Sequence, residues 1–270
     1  MIDSSLERYT AAERPRLADV TTRLQKGGAL LGDMRLLVSI WSDELSRMDP
    51  MPVISRHLPK ATMARVRDTY TRSFRPRFIE GSPPQAWRLA RTLEDCSAQI
   101  DVIRPFYYWL TARVERPLYD FVTDYVYARS RTADRNIRID EAVSWLKGLV
   151  AASGKTWSPI VLRKVARGML ATLRDFGILE GGTRKGISAG HLPVEAFSVI
   201  AFCLHELGVA GRELLKHHDW RLYLLGETGV EHLLLESHQQ GWLKFESAGN
   251  IVRIEFPQVS FKEFAHDVLG

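Results

Sequence analysis

The sequence has only two cysteines and no apolar run long enough to cross a bilayer. Cys96 and Cys203 lack a CxxC partner and any histidine at metal spacing, so neither a disulfide framework nor a zinc site organises the chain. Both lie in apolar helical patterns, and the expectation is two reduced core residues of a cytoplasmic protein. The longest largely apolar stretch, 197–204, falls far short of the roughly 20 residues that a spanning helix needs. The start of the chain is polar, without the hydrophobic region of a signal peptide, so no membrane association is expected. Catalytic signatures are missing too. There is no HExxH, no G-x-S-x-G, no glycine loop followed by Lys-Ser/Thr, and no G-x-G-x-x-G. His217-His218-Asp219 sits inside a helical pattern and His205-Glu206 lacks a second histidine. The acidic pairs Asp43-Glu44 and Glu94-Asp95 have no lysine at the spacing of a nuclease core. No enzyme, metal site or cofactor is expected.

What is present is apolar bulk and positive charge. A 45% hydrophobic share with 10% aromatics across 270 residues supports a folded chain, long enough for two compact domains. A formal net charge of +5 and a pI near 9.3 favour an acidic partner such as nucleic acid.

The charge is concentrated. Ser158 is a good N-cap and Pro159 suits the first helical position. Advancing about 100° per residue, Val161, Val165, Met169, Leu173 and Phe176 gather on one face. Arg163, Arg167 and Arg174 gather on the opposite one, with Lys164 beside them. Gly177 supplies a C-cap, and Ile178-Leu179 begin a strand. Gly181 to Gly186 turn the chain, carrying Arg184 and Lys185, and Ile187 starts the return. Between Lys155 and Gly190 seven Lys or Arg face two acids, an excess equal to the whole chain's net charge. A basic helix followed by a basic-tipped hairpin is how a winged helix meets DNA, the helix in the major groove and the wing on phosphate. The same stripe also suits a solvated face or a protein-docking module.

The rest of the chain reads as mainly α. The expected plan is an all-helical N-terminal domain over 1–131 and a winged-helix-like C-terminal domain over 132–270, with two short β-hairpins. In the first domain, 1–18 is a mobile start or a surface helix. Helices follow over 29–46 and 61–73, separated by an irregular link at Pro50, Pro52 and Pro59. Another helix opens at Pro83-Pro84, and a long aromatic helix follows Pro105, restarted by Pro117. Its Phe106, Tyr107, Trp109, Tyr119, Phe121 and Tyr125 recur at helical spacing and read as core. In the second domain, 132–137 is a polar linker and Arg138-Ile139 a short strand. Asp140 caps a helix that precedes the basic one, which completes the order strand, helix, helix, hairpin over a wing at 178–188. An apolar helix runs to Leu207, then one over 214–225. A last helix over 230–240 leads into a second, nearly neutral hairpin at 242–256, and a short helix over 261–268 closes the chain.

A second basic cluster lies between Arg56 and Arg77, with seven Lys or Arg against Asp68 alone. Arg65 and Arg72 share a helix face. Arg75 and Arg77 stand between aromatics in Phe74-Arg75-Pro76-Arg77-Phe78, and guanidinium binds phosphate in bidentate fashion. These four arginines are candidates for a second backbone contact with duplex DNA. Ion pairs with Asp68 and with acids elsewhere are the alternative.

With these segments assembled, the chain resembles the BrxA family of the bacterial BREX phage-defence systems. The resemblance is carried by Lys26-Gly27-Gly28-Ala29-Leu30-Leu31, Phe74-Arg75-Pro76-Arg77-Phe78 and Pro83-Pro84-Gln85-Ala86-Trp87. It continues through Tyr119-Asp120-Phe121-Val122-Thr123, Leu173-Arg174-Asp175-Phe176-Gly177-Ile178-Leu179-Glu180 and His218-Asp219-Trp220-Arg221. It implies a small non-enzymatic component working beside an ATPase, a DNA methyltransferase and a phosphatase-like protein. Family members have been likened in fold to the RNA-binding antitermination factor NusB, and carry an older label as inner-membrane proteins. The sequence agrees with the helical architecture and offers no segment to support the membrane label. The leading expectation is a DNA-binding accessory protein of low sequence specificity, since the basic helix offers no Asn or Gln to read adenine. A protein adaptor that assembles the defence complex, or a NusB-like RNA-binding protein, is the alternative.

Overall fold

The computed structural model describes residues 20–182, 184–189, 191–249 and 251–270. The expectation for 1–18 lies outside these residues, as do Thr183 and Asn250 of the two expected turns. The chain is mainly helical, with a few short antiparallel strands in two small sheets.

A single 3-10 turn, Arg23–Gln25, precedes α1 (Leu31–Ile40) and α2 (Asp43–Arg47). The continuous helix expected over 29–46 is broken because Ser42 is extended and its side chain caps α2 by accepting from the Leu45 N–H. The expected link around Pro50 and Pro52 is a helix, α3 (Met51–His57), since proline in a first turn gives up no hydrogen bond. Then come α4 (Met63–Thr69) and a π-helical segment, Tyr70–Ile79, with Pro76 inside it. The next helix, α5 (Trp87–Asp95), opens after Pro83-Pro84. The aromatic helix α6 (Ile100–Val114) starts before Pro105, not after it. Pro117 does restart the chain, as α7 (Arg116–Asp120), which runs through a second π segment, Phe121–Val126, into α8 (Tyr127–Ser130).

The segment expected as a linker is structured. Asn136–Ile137 forms β1, two residues earlier than the strand expected at Arg138-Ile139, and α9 (Ile139–Ala152) begins where that strand was expected. The basic helix is α10 (Pro159–Asp175) and its hairpin is β2 (Leu179–Glu180) with β3 (Lys185–Ile187). The three strands are antiparallel in the order β1-β3-β2, with Leu179 opposite Ile187 and Asn136 opposite Gly186. Next are α11 (Val194–Glu206) and α12 (Gly211–Leu215). A 3-10 helix, His218–Tyr223, stands where the continuous 214–225 helix was expected. Finally α13 (Glu227–Gln239) leads to the hairpin β4 (Lys244–Ala248) and β5 (Ile251–Glu255), and α14 (Phe261–Leu269) ends the chain.

One continuous apolar cluster links the two halves across residues 131 and 132. The most apolar helix, α11, packs on α6, α13 and α14, while α10 packs on α9 and on the 23–25 turn. Phe106, Tyr107, Trp109, Tyr119 and Phe121 are buried, as their periodicity requires, each worth about 1.5–3 kcal/mol of burial. Cys203 is buried as expected. Cys96 is only partly so, with its sulfur 3.8 Å from His266 Nδ1. No helix among the described residues is long and apolar enough to cross a membrane.

Candidate nucleic-acid interface

The basic helix is built as its sequence dictates. Ser158 accepts from the Val161 N–H at the start. At the end Gly177, at φ +82°, closes a Schellman motif: its N–H reaches Arg174 O at 3.0 Å and the Ile178 N–H reaches Leu173 O at 2.9 Å. Val165, Met169, Leu173 and Phe176 are buried, while Arg163, Lys164, Arg167 and Arg174 are exposed on the opposite face. Ile160, 68% exposed, stands among them. Two of the four are engaged locally: Arg163 pairs with Asp140 at 3.0 Å and Arg174 with Asp175 at 2.7 Å.

The turn after β2 carries Arg184 outward. Lys185 is half-buried, its Nζ donating to Gly182 O at 3.1 Å. Burial, and next the nearby Arg174 guanidinium, push the Lys185 ammonium pKa down, against the pull of Asp175. The hairpin base and the last turn of α10 therefore lie together and share one positive field. Beside them two exposed cations flank β1: Arg135, expected in the linker, and Arg138, expected in a short strand, neither of them expected at the interface. The Ile187 N–H donates to Arg135 O at 2.8 Å, and Arg135 Nη2 reaches Ser188 O. A two-residue strand flanked by charge carries almost no periodic signal, which hid them.

The second cluster separates into different fates. Arg65 is exposed at the start of α4. Arg72 pairs with Asp68 at 2.9 Å, and Arg75 with Glu80 at 2.6 Å. Arg77 corrects the expectation for it. It is wholly buried and donates to the carbonyls of Gly28, Ala29 and Gly27 at 3.1–3.3 Å, with Glu115 3.8 Å away. Burial lowers its pKa to about 10, against the pull of Glu115. No phosphate reaches it. Its work is to fasten the 20–30 segment, which Lys155 also holds through Val20 O and Arg23 through Glu115.

His217-His218-Asp219 is structural. Asp219 is buried, and accepts from Trp109 Nε1 at 2.7 Å, Tyr119 Oη at 2.6 Å and Arg113 Nη1 at 2.5 Å. Among the described residues no three His, Cys, Asp or Glu side chains gather as a metal site would require.

No curated protein matches the chain. In fold, the chain is similar to a magnesium ion-bound SspB structure, with a TM-score of 0.61 at 13% identity, covering 94% of this chain and 89% of that one. A second SspB structure matches with a TM-score of 0.54 at 11% identity and the same coverage. These likenesses speak to architecture alone. The BrxA family model matches residues 20–202, the span holding both basic clusters, and the chain belongs to the BrxA family.

Proposed function

We propose that this protein is a non-enzymatic, DNA-binding accessory component of a BREX-type antiphage defence system, with low sequence specificity. An accessory role beside other BREX components fits its family. DNA binding rests on one observation: β1, α9, α10 and the β2–β3 hairpin follow each other in winged-helix order, and the exposed face of α10 is cationic. In this reading Arg163, Lys164, Arg167 and Arg174 lie on or beside the duplex. Arg184 and Lys185 meet an adjacent phosphate run, extended by Arg135 and Arg138. Arg65, Arg72 and Arg75 supply a second backbone contact, the latter two by exchanging a surface carboxylate for phosphate. Such exposed pairs are worth ~1 kcal/mol or less and exchange readily. Duplex DNA suits a helix reader better than RNA, whose major groove is deep and narrow.

The test is fluorescence anisotropy on a random 30-mer duplex across a salt series. Each neutralised phosphate contributes about −0.9 to the slope of log K against log salt. A slope near −4 or steeper is expected, reduced by charge reversal at Arg163, Arg167 and Arg184. Unchanged affinity in that variant defeats the reading, and a preference for structured RNA in competition would move it to the NusB-like alternative.

A second reading, an adaptor contacting the ATPase, methyltransferase or phosphatase-like component, draws on the second hairpin. There Arg253 pairs with Glu255 and Ile251 is 73% exposed, a near-neutral surface with an apolar point. Nuclease-treated pull-down with those components separates the two.

A further inference from the structure

A cavity of about 440 Å³ opens between the end of α8 and the start of α13, and none of its lining belongs to α10 or its hairpin. Two arginines from distant parts of the chain converge on one tyrosine in it. The Arg131 guanidinium carbon lies 4.6 Å from the Tyr127 ring centre, and that of Arg221 lies 4.9 Å from it. Arg131 Nη2 also donates to Tyr127 Oη at 2.7 Å. Among the described residues neither guanidinium has a carboxylate within ion-pair distance; the pocket's one acid, Glu227, is taken by Lys216 at 3.2 Å. Two guanidinium groups lining one cavity without a carboxylate partner form a site short of an anion.

The wall beside Arg131 is prepared for the same guest. The thirteen-residue α13 begins at Glu227 with Gly226 as N-cap, which has no side chain to satisfy the first-turn N–H groups. Gly226, Glu227, Thr228 and Gly229 line the cavity at the end of the helix where its dipole favours negative charge. A side chain at Gly226 would push the Arg131 guanidinium aside: a Cβ there would lie 2.7 Å from Arg131 Nη2 and 3.3 Å from Tyr127 Oη.

We infer that this cavity binds a phosphate group, held by Arg131 and Arg221 together with the adjoining N-terminus of α13. The volume admits a nucleotide as well as a lone phosphate. The ligand is either a free nucleotide or a phosphate of a nucleic acid strand, and both offer the same oxyanion. The inference does not depend on the α10 surface.

Isothermal titration of the full chain with inorganic phosphate, pyrophosphate and ATP, at constant ionic strength in chloride, tests it. One-to-one binding is expected, weakened about tenfold by Arg221→Gln and further by adding Arg131→Gln. Gly226→Ala, which displaces Arg131 without removing charge, should weaken it as well. Reversal of Arg163, Arg167 and Arg184 should leave it intact, which separates this site from the duplex surface. ATP binding much tighter than phosphate assigns a free nucleotide. Equal weak binding of both, with loss of duplex or 5′-phosphorylated single-strand affinity in the Arg131 and Arg221 variants, assigns a nucleic acid phosphate. Absence of heat with every phosphate compound, or affinities unchanged in a folded Arg131/Arg221 double variant, overturns the inference.

Discussion

A Cβ placed on Gly168 would lie 1.9 Å from the carbonyl oxygen of Leu24. The basic helix is therefore crossed, at the edge of its cationic stripe, by backbone from the start of the described chain. Gly168→Ala should force the 23–25 turn off α10 and cost about 2 kcal/mol, or roughly 5 °C in Tm. Differential scanning calorimetry checks this, and an unchanged Tm would mean that the two segments do not pack as described.

The arginines of the second cluster should divide by burial. Arg77→Met leaves three carbonyls without a donor and Glu115 with one cation fewer in a dry site, a loss of about 3 kcal/mol. Burial pushes the Glu115 carboxyl up, and Arg77 and then Arg23 offset only part of that rise. Arg65→Ala and Arg72→Ala should change stability by about 0.5 kcal/mol or less while flattening the salt dependence of duplex binding by about one unit each. Urea unfolding and anisotropy on the same three variants decide it. Equal stability loss in all three would refute the division.

Asp219 predicts a pH dependence. Burial alone would raise its carboxyl, but Arg113, His217 and the Tyr119 and Trp109 donors more than offset that and hold it at about 2. The folded value lies below the unfolded one, so its contribution is complete above the unfolded pKa of about 4 and is lost as pH falls towards 2. About 2–3 kcal/mol should disappear over that range, and Asp219→Asn should remove this part of the pH slope. Stability measured by urea titration from pH 6 to pH 2 reads it directly.

The Arg163–Asp140 pair gives a gain-of-affinity prediction. Asp140→Ala removes a negative charge beside the stripe and frees a guanidinium at 3.0 Å. Duplex affinity should rise about threefold at low salt, an effect that fades as ionic strength screens it. A fall in affinity would place the DNA elsewhere.

Much of this was legible in the sequence. The amphipathic period of α10, Ser158 and Gly177 at its ends, the turn glycines of the β2–β3 hairpin and the aromatic spacing of α6 are local signals, and local signals survive into the fold. The breaks at Trp41-Ser42 and Lys216-His217 were not legible, because apolar periodicity continues through both while packing and capping end the helices. Nor was β1 visible: two residues become a strand only when Gly186 and Lys185 arrive to pair with them.

The sequence by itself determined the helical class, the polarity of each helix and the place where positive charge accumulates, since these depend on near neighbours along the chain. Tertiary structure alone decided what each charge is for. Arg75 and Arg77 stand two residues apart in one motif, yet one is on the surface beside Glu80 and the other is sealed against backbone carbonyls. Arg131 and Arg221 are ninety residues apart and meet over one tyrosine. A charge is free or spent according to the groups that folding brings within a few ångströms of it, and those groups come from remote segments that no local pattern encodes.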